Sequence, residues 1–250
     1  METESVIETQ DLTKMYNGQA AVDRLSFKVK EGEIFGFLGP NGAGKTTTLL
    51  MLLGLTEPTS GTARVLNLDP TRDPIKVKTK IGYLQENMGF YGDLNARQML
   101  KFITELNGLA GKPADERIDS ALEKVGLLDE ASKKIAFYSR GMRQRLGIAE
   151  LLIKDSKIAF LDEPTLGLDP DATNRMIELI QSMCRDKKIT VLLSSHLLHQ
   201  VQKICHRIGI MIKGRMVAQG SMDQLAKEKF GVGKEKYALE EIYMKYFQES

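Results

Sequence analysis

Residues 39–46 of this 250-residue chain, Gly39-Pro40-Asn41-Gly42-Ala43-Gly44-Lys45-Thr46, fit G-x-x-x-x-G-K-[ST] at every fixed position. These residue types suit a phosphate. Gly39, Gly42 and Gly44 let the backbone turn and come close to an anion. Backbone N–H groups through Pro40, Asn41 and Ala43, and the start of a following helix at Thr47, then face the charge. Lys45 is placed to reach β- and γ-phosphates, and the Thr46 hydroxyl to meet Mg²⁺. A second acidic stretch complements the loop. Asp162 and Glu163 end the apolar run 158–161, so Asp162 can hold Mg²⁺ directly, through water or with Thr46. Glu163 beside it can polarise an attacking water as a general base. Gln85 follows the short apolar run 81–84 and is a candidate sensor of Mg²⁺ or of that water. Tyr16 is either a base-stacking aromatic or an ordinary tyrosine at a strand end.

The elements that must position these residues alternate in type. The run 34–38 reads as a buried strand before the loop, and 48–53 as the start of a helix after it. Residues 6–12 and 21–29 read as two strands joined by the turn dipeptide Asn17-Gly18. Short strands follow at 62–66 and 81–84. From 95 to 154 the pattern becomes helical. Met99, Ile103 and Leu106 share a face, Pro113 opens a second helix that Gly126 ends, and Met142, Leu146, Ala149 and Ile153 mark a third. The chain then returns to α/β. Asp169 and Pro170 start a helix, and Ile189 to Leu193 is a strand ending at Ser194-Ser195-His196. Residues 207–212 and 215–219 pair as a hairpin across Lys213-Gly214, and 238–247 is a last amphipathic helix. The fold class expected is α/β with a helical insert.

Composition excludes several classes. Hydrophobic residues make up 42% and charged residues 27%, a balance that supports a sizeable core. A net charge of +2 gives no general reason to expect nucleic acid. No apolar run approaches the roughly 18 residues of a membrane span, and the opening METESVIETQ has neither the basic nor the apolar region of a signal peptide. Cys184 and Cys205 form no metal or redox motif and read as reduced, in keeping with the cytosol. His196-x-x-His199 has metal-like spacing but no third ligand, so His199 and His206 read as solvated.

Over residues 5–220 the motifs resemble the nucleotide-binding subunit of ABC (ATP-binding cassette) transporters. Residues 39–46 match its Walker A motif and Gln85 its Q-loop. Tyr138 followed by Ser139-Arg140-Gly141-Met142 matches the family signature. The run 158–162 with Glu163 matches Walker B and the catalytic glutamate, 166–169 the D-loop, and His196 the switch histidine, while Tyr16 falls where the family stacks the base. The signature departs from the common Leu-Ser-Gly-Gly-Gln form, and its form is similar to drug, antibiotic and bacteriocin exporters. Arg140, in place of a glycine, either contacts nucleotide or partner or is a solvated arginine.

The resemblance implies a P-loop NTPase (RecA-like) core with an N-terminal antiparallel β-subdomain and an inserted α-helical subdomain. It implies an ATP-binding domain over 1–220, with the insert at about 87–154 between 1–86 and 155–220, and a C-terminal helical extension over 221–250. It also implies a cytoplasmic ATPase, peripheral on the membrane, that uses ATP and Mg²⁺ and works with a separate permease subunit. Two copies would sandwich two ATP molecules head to tail, with Ser139, Arg140, Gly141 and Met142 of one copy facing the loop of the other. Lys45, Gln85, Glu163 and His196 would be catalytic, and Thr46, Gln85 and Asp162 would serve the metal. With Lys45, Asp162, Glu163 and His196 intact, a homodimer would have two competent sites. In the family the region 86–94 docks the membrane partner, so Phe90 and Tyr91 either form that surface or, for Phe90, join the core. Rival readings are a soluble ABC ATPase acting on nucleic acid or ribosomes, and a non-transport assembly factor. A GTPase lacks its Asn-Lys-x-Asp motif here.

Overall fold

The structure, a computed structural model, describes residues 4–231 and 238–248. The expected strand before the phosphate loop is β3 (Ile34–Leu38), buried along its whole length. It lies in a six-stranded sheet between β7 (Thr190–Ser195) and β8 (Arg207–Ile212). Strands β6 (Ile158–Asp162) and β5 (Ile81–Leu84) continue one side, and β9 (Arg215–Gly220) closes the other. All pairings are parallel except β8 with β9. Parallel strands are covered on both faces, which is why these segments are continuous apolar runs. Alternate side chains then enter different cores. Phe35, Phe37, Ile158, Phe160 and Leu192 face one, while Ile34, Leu38, Ala159, Leu161, Val191 and Leu193 face the other.

A second, antiparallel sheet lies over the first core: β1 (Ser5–Tyr16), β2 (Gln19–Lys30) and β4 (Ser60–Val65), in the order β2-β1-β4. Asn17 and Gly18 turn β1 into β2 with φ of 48° and 79°, the positive values a two-residue hairpin of primed type requires. Phe27 of β2 meets Phe37 of β3 edge-on at 4.9 Å between centroids. Leu49, Met51 and Leu52 of helix α1 (Lys45–Leu52) fill the same core, which fixes the helix that begins at the phosphate loop.

The other core holds the helices α3 (Ala96–Leu106), α4 (Lys112–Lys124), α5 (Arg140–Ile153) and α6 (Pro170–Lys187), with α7 (Leu198–Ile204) and α9 (Leu239–Gln248). Asp169 caps α6 by accepting from the Ala172 N–H at 2.8 Å, as the sequence predicts. Three helices lie outside the sequence expectation: α2 (Pro74–Lys80), α7 and α8 (Met222–Phe230). All are short, with too few turns to show a period. Strand β4 stops before Leu66, which turns with φ of 50°, so the expected 62–66 shifts toward the N-terminus.

His206 requires a correction. It is not a solvated bystander, because its Nδ1 accepts the Ile34 N–H at 2.9 Å and its own N–H donates to Ile34 O at 2.9 Å, tying the start of β3 to β8. Phe90 is half-buried against the helical core, whereas Tyr91 is 62% exposed. Both cysteines are free thiols. Among the described residues no helix is long and apolar enough to cross a membrane. Of the expected C-terminal extension, 232–237 and 249–250 lie outside the described residues, as do residues 1–3 of the expected N-terminal segment.

Candidate nucleotide site

The carboxyl ends of three adjacent parallel strands meet at one place, where open α/β sheets collect ligands. β3 delivers residues 39–46, β6 delivers Asp162 and Glu163, and β7 delivers Ser194 and then His196. The loop is shaped by close backbone approaches. A Cβ on Gly39 would lie 2.3 Å from Met211 O, and one on Gly44, whose φ is +96°, 2.4 Å from Ala21 O. Gly44→Ala is therefore expected to destabilise the fold by about 1–3 kcal/mol, since both the conformation and the space exclude a side chain. A lowered thermal midpoint would check this, and an unchanged one would refute it.

Lys45 curls back over its own loop. Its Nζ donates to Gly39 O at 2.7 Å and Pro40 O at 3.2 Å, and lies 3.6 Å from Glu163 Oε1. Burial holds the ammonium below its ordinary pKa, while the Glu163 carboxylate pulls the other way. The same Oε1 is 3.0 Å from His196 Nδ1, so one carboxylate oxygen joins lysine and histidine. The other, Oε2, is buried without a hydrogen-bond partner among the described residues. Glu163 leaves the strand with φ of 47°, a left-handed conformation that a side-chain-bearing residue rarely adopts.

Asp162 is almost fully buried. Its Oδ1 accepts from the Thr46 hydroxyl at 3.2 Å and from the Ser194 hydroxyl. The Tyr83 hydroxyl also bonds to Asp162. Burial, reinforced by that carboxylate, pushes the Tyr83 phenol up to about 12. Because this exceeds the ordinary 10.0, the stability contributed by the neutral phenol is complete below pH 10.0 and is lost as pH rises toward about 12. Tyr83→Phe should flatten the fall in urea-unfolding free energy between about pH 9 and about pH 11. An unaltered slope would contradict the shift.

The donor set suits Mg²⁺. A hydroxyl and a carboxylate from different elements stand within hydrogen-bonding distance of each other, and oxygen is the ligand this hard cation takes.

Five expected residues thus converge: Lys45, Thr46, Asp162, Glu163 and His196. Others stand apart within the chain. Gln85 is exposed beyond the end of β5 and makes no hydrogen bond among the described residues. Tyr16 is 46% exposed at the end of β1, with Lys14 Nζ 5.1 Å from its ring centroid. The Ser139 hydroxyl accepts from Met142 N–H at 3.2 Å and caps α5 rather than meeting residues 39–46 of its own chain. Arg140 is exposed, with its guanidinium packed over Gly167, where a Cβ would meet Nη1 at 3.0 Å. Gly141 faces Ala172 and Leu168. Sequence reasoning missed Ser194 and Tyr83 as neighbours of Asp162. It also missed the bond from the Thr165 hydroxyl to Gln200, which ties the loop after Glu163 to α7. A serine closing a buried strand beside His196 was the one available signal.

Comparison with known proteins agrees with this geometry. The family model described as ABC transporter matches residues 22–166. The bacitracin transport ATP-binding protein BcrA of Bacillus licheniformis is 42% identical over 223 residues, covering 89% of this chain and 72% of that protein. The probable multidrug ABC transporter ATP-binding protein YbhF of Escherichia coli is 40% identical over 222 residues, covering 89% of this chain but only 38% of that protein. A solved ATP-binding subunit of an ABC transporter superposes with a TM-score of 0.85 at 28% identity, covering 97% of this chain and 100% of its own. CbiO1 of Clostridium perfringens, part of the transporter complex CbiONQ, gives 0.81 at 26%, covering 99% and 100%. The chain belongs to the ABC transporter family, as an ATP-binding subunit whose ATPase activity drives transport. Such subunits dimerise and work with membrane permease subunits. The nucleic-acid and assembly-factor readings find no support among these relatives.

Proposed function

We propose that two copies of this chain, or this chain and a close relative, close head to tail over two ATP molecules on the cytoplasmic face of the membrane and so drive export through a permease. The convergence of Lys45, Thr46, Asp162, Glu163 and His196 at the strand ends carries this reading. When bound, Mg²⁺ would neutralise charge on the β- and γ-phosphates. Thr46 and Asp162 would hold it, and Gln85 would reach the same region from β5. Lys45, released from the carbonyls of Gly39 and Pro40, would turn to the phosphates, as would the N–H groups of residues 39–47. Glu163 would then lose its lysine partner, and its carboxylate would be free to take a proton from water while His196 keeps it oriented. Tyr16 would present its exposed face to the base. Ser139, Arg140, Gly141 and Met142, at the start of α5, would offer a helix N-terminus to the γ-phosphate of the other copy. The division into a core of 1–86 and 155–220, an insert of about 87–154 and an extension from 221 is part of the proposal, with α3, α4 and α5 forming the insert.

Export is supported by the transport names of the relatives and by the Tyr-Ser-Arg-Gly-Met signature. The permease surface is supported by an apolar groove of about 410 Å³ that includes Tyr91, Leu94 and Phe102. Tyr91 and Phe102 are 62% and 42% exposed and meet edge-on at 6.3 Å. Replacing both with alanine is expected to leave ATP turnover of the isolated subunit in place and to abolish co-purification with the polytopic membrane partner. Retained co-purification would remove this face from the interface. Recovery of RNA or DNA instead of a membrane protein would overturn the transport reading of this chain.

A further inference from the structure

We infer that Ser194 is a positioning residue for the acidic pair: its hydroxyl turns the Asp162 carboxylate toward Thr46 and anchors the backbone bend that aims Glu163. The inference rests on the reading of Asp162 as the Mg²⁺ residue. Three observations support it. First, the parallel register of β6 and β7 sets Ser194 directly opposite Asp162, and Ser194 is fully buried, at 0% exposure. Second, its hydroxyl is used twice. The single proton goes to Asp162 Oδ1, the oxygen that also accepts from Thr46, and a lone pair accepts the Glu163 N–H at 3.2 Å. Third, the Ser194 carbonyl accepts the same N–H at 3.2 Å, at the point where Glu163 takes its left-handed φ of 47°.

One residue therefore touches the carboxylate of Asp162 and the backbone of Glu163. The next residue, Ser195, points the other way, and its hydroxyl accepts from Leu197 N–H at 3.0 Å. A hydroxyl at 194 thus has a task that a hydroxyl at 195 does not share. Groups that hold a metal-binding side chain in place commonly affect metal affinity about as strongly as a direct ligand does. A serine serving only to satisfy a buried strand end would affect stability alone.

The test uses the full chain loaded with ADP and measures Mn²⁺ affinity by electron paramagnetic resonance, with no turnover involved. Ser194→Ala is expected to weaken Mn²⁺ binding about tenfold or more and to raise half-saturating Mg²⁺ in the ATPase assay to match. ADP affinity in excess chelator should be unchanged. Ser194→Thr keeps the hydroxyl and should restore Mn²⁺ affinity to within about threefold of the parent. If Ser194→Ala does not fold, Ser194→Cys, which keeps the volume but donates weakly, is read in its place. Parent-like Mn²⁺ affinity in the variant lacking the hydroxyl, while Asp162→Asn is weakened, would overturn the inference and leave the metal reading standing. Parent-like affinity in Asp162→Asn as well would overturn both.

Discussion

Glu163→Gln is expected to lower ATP turnover by about a hundred- to ten-thousandfold while leaving ATP binding intact. The reason lies in the position of the carboxylate. Oε1 is joined to Lys45 at 3.6 Å and to His196 at 3.0 Å, while Oε2 is buried and unpartnered. A glutamine has the same shape and can keep the contact with His196. It cannot take a proton from water. The loop 39–46, Thr46 and Asp162 are untouched, so the nucleotide should still bind. With hydrolysis blocked, the closed pair should accumulate, and ATP should shift the variant to a dimer on size-exclusion chromatography. Phosphate release gives the rate. Turnover within about tenfold of the parent, below the usual range for removing a general base, would remove Glu163 from that role.

Lys45→Ala is expected to weaken ATP binding by about ten- to a hundredfold, the loss of one charge-assisted bond to phosphate. It should also alter the protein without nucleotide. Lys45 and Glu163 are 6% and 7% exposed at their side chains, so removing the lysine leaves a buried carboxylate whose remaining contact is His196. Breaking a buried pair from one side costs up to about 3–5 kcal/mol. That figure is an upper bound here, because His196 remains and the lysine itself is held off its ordinary pKa by burial. The expected result is a lower thermal midpoint in Lys45→Ala that is largely recovered in Lys45→Ala with Glu163→Gln, since the second change removes the stranded charge. A double variant no more stable than the single one would show that the two side chains do not depend on each other in the resting protein.

The pairing behind this prediction was not legible in the sequence. From residue types alone Lys45 belongs to phosphate and Glu163 to water. In the nucleotide-free arrangement each occupies the other. Nothing in local sequence states that, because residues 45 and 163 are brought together only by the order of strands β3, β7 and β6. His206 shows the same limit. Its exposed side chain gave no reason to expect a bond to Ile34, which depends on β8 lying beside β3. The short helices α2 and α7 escaped because seven residues make about two turns, too few for a face to repeat.

Sequence alone determined the features that depend on neighbours along the chain. The glycines of 39–46 and the two-residue turn Asn17-Gly18 require positive φ or bare backbone, and only a few residue types supply these. The fully apolar runs at 34–38 and 158–161 announce strands covered on both faces, and hence an α/β fold with a parallel sheet. Tertiary structure decided the features that depend on register between distant strands. Asp162 and Ser194 are opposite each other because β6 and β7 are parallel and in step, and a slip of one residue would send the Ser194 hydroxyl to the other face of the sheet. Local chemistry can thus name a phosphate loop and an acid. Which hydroxyl holds that acid, and which cation occupies its partner at rest, follows from how the sheet is assembled.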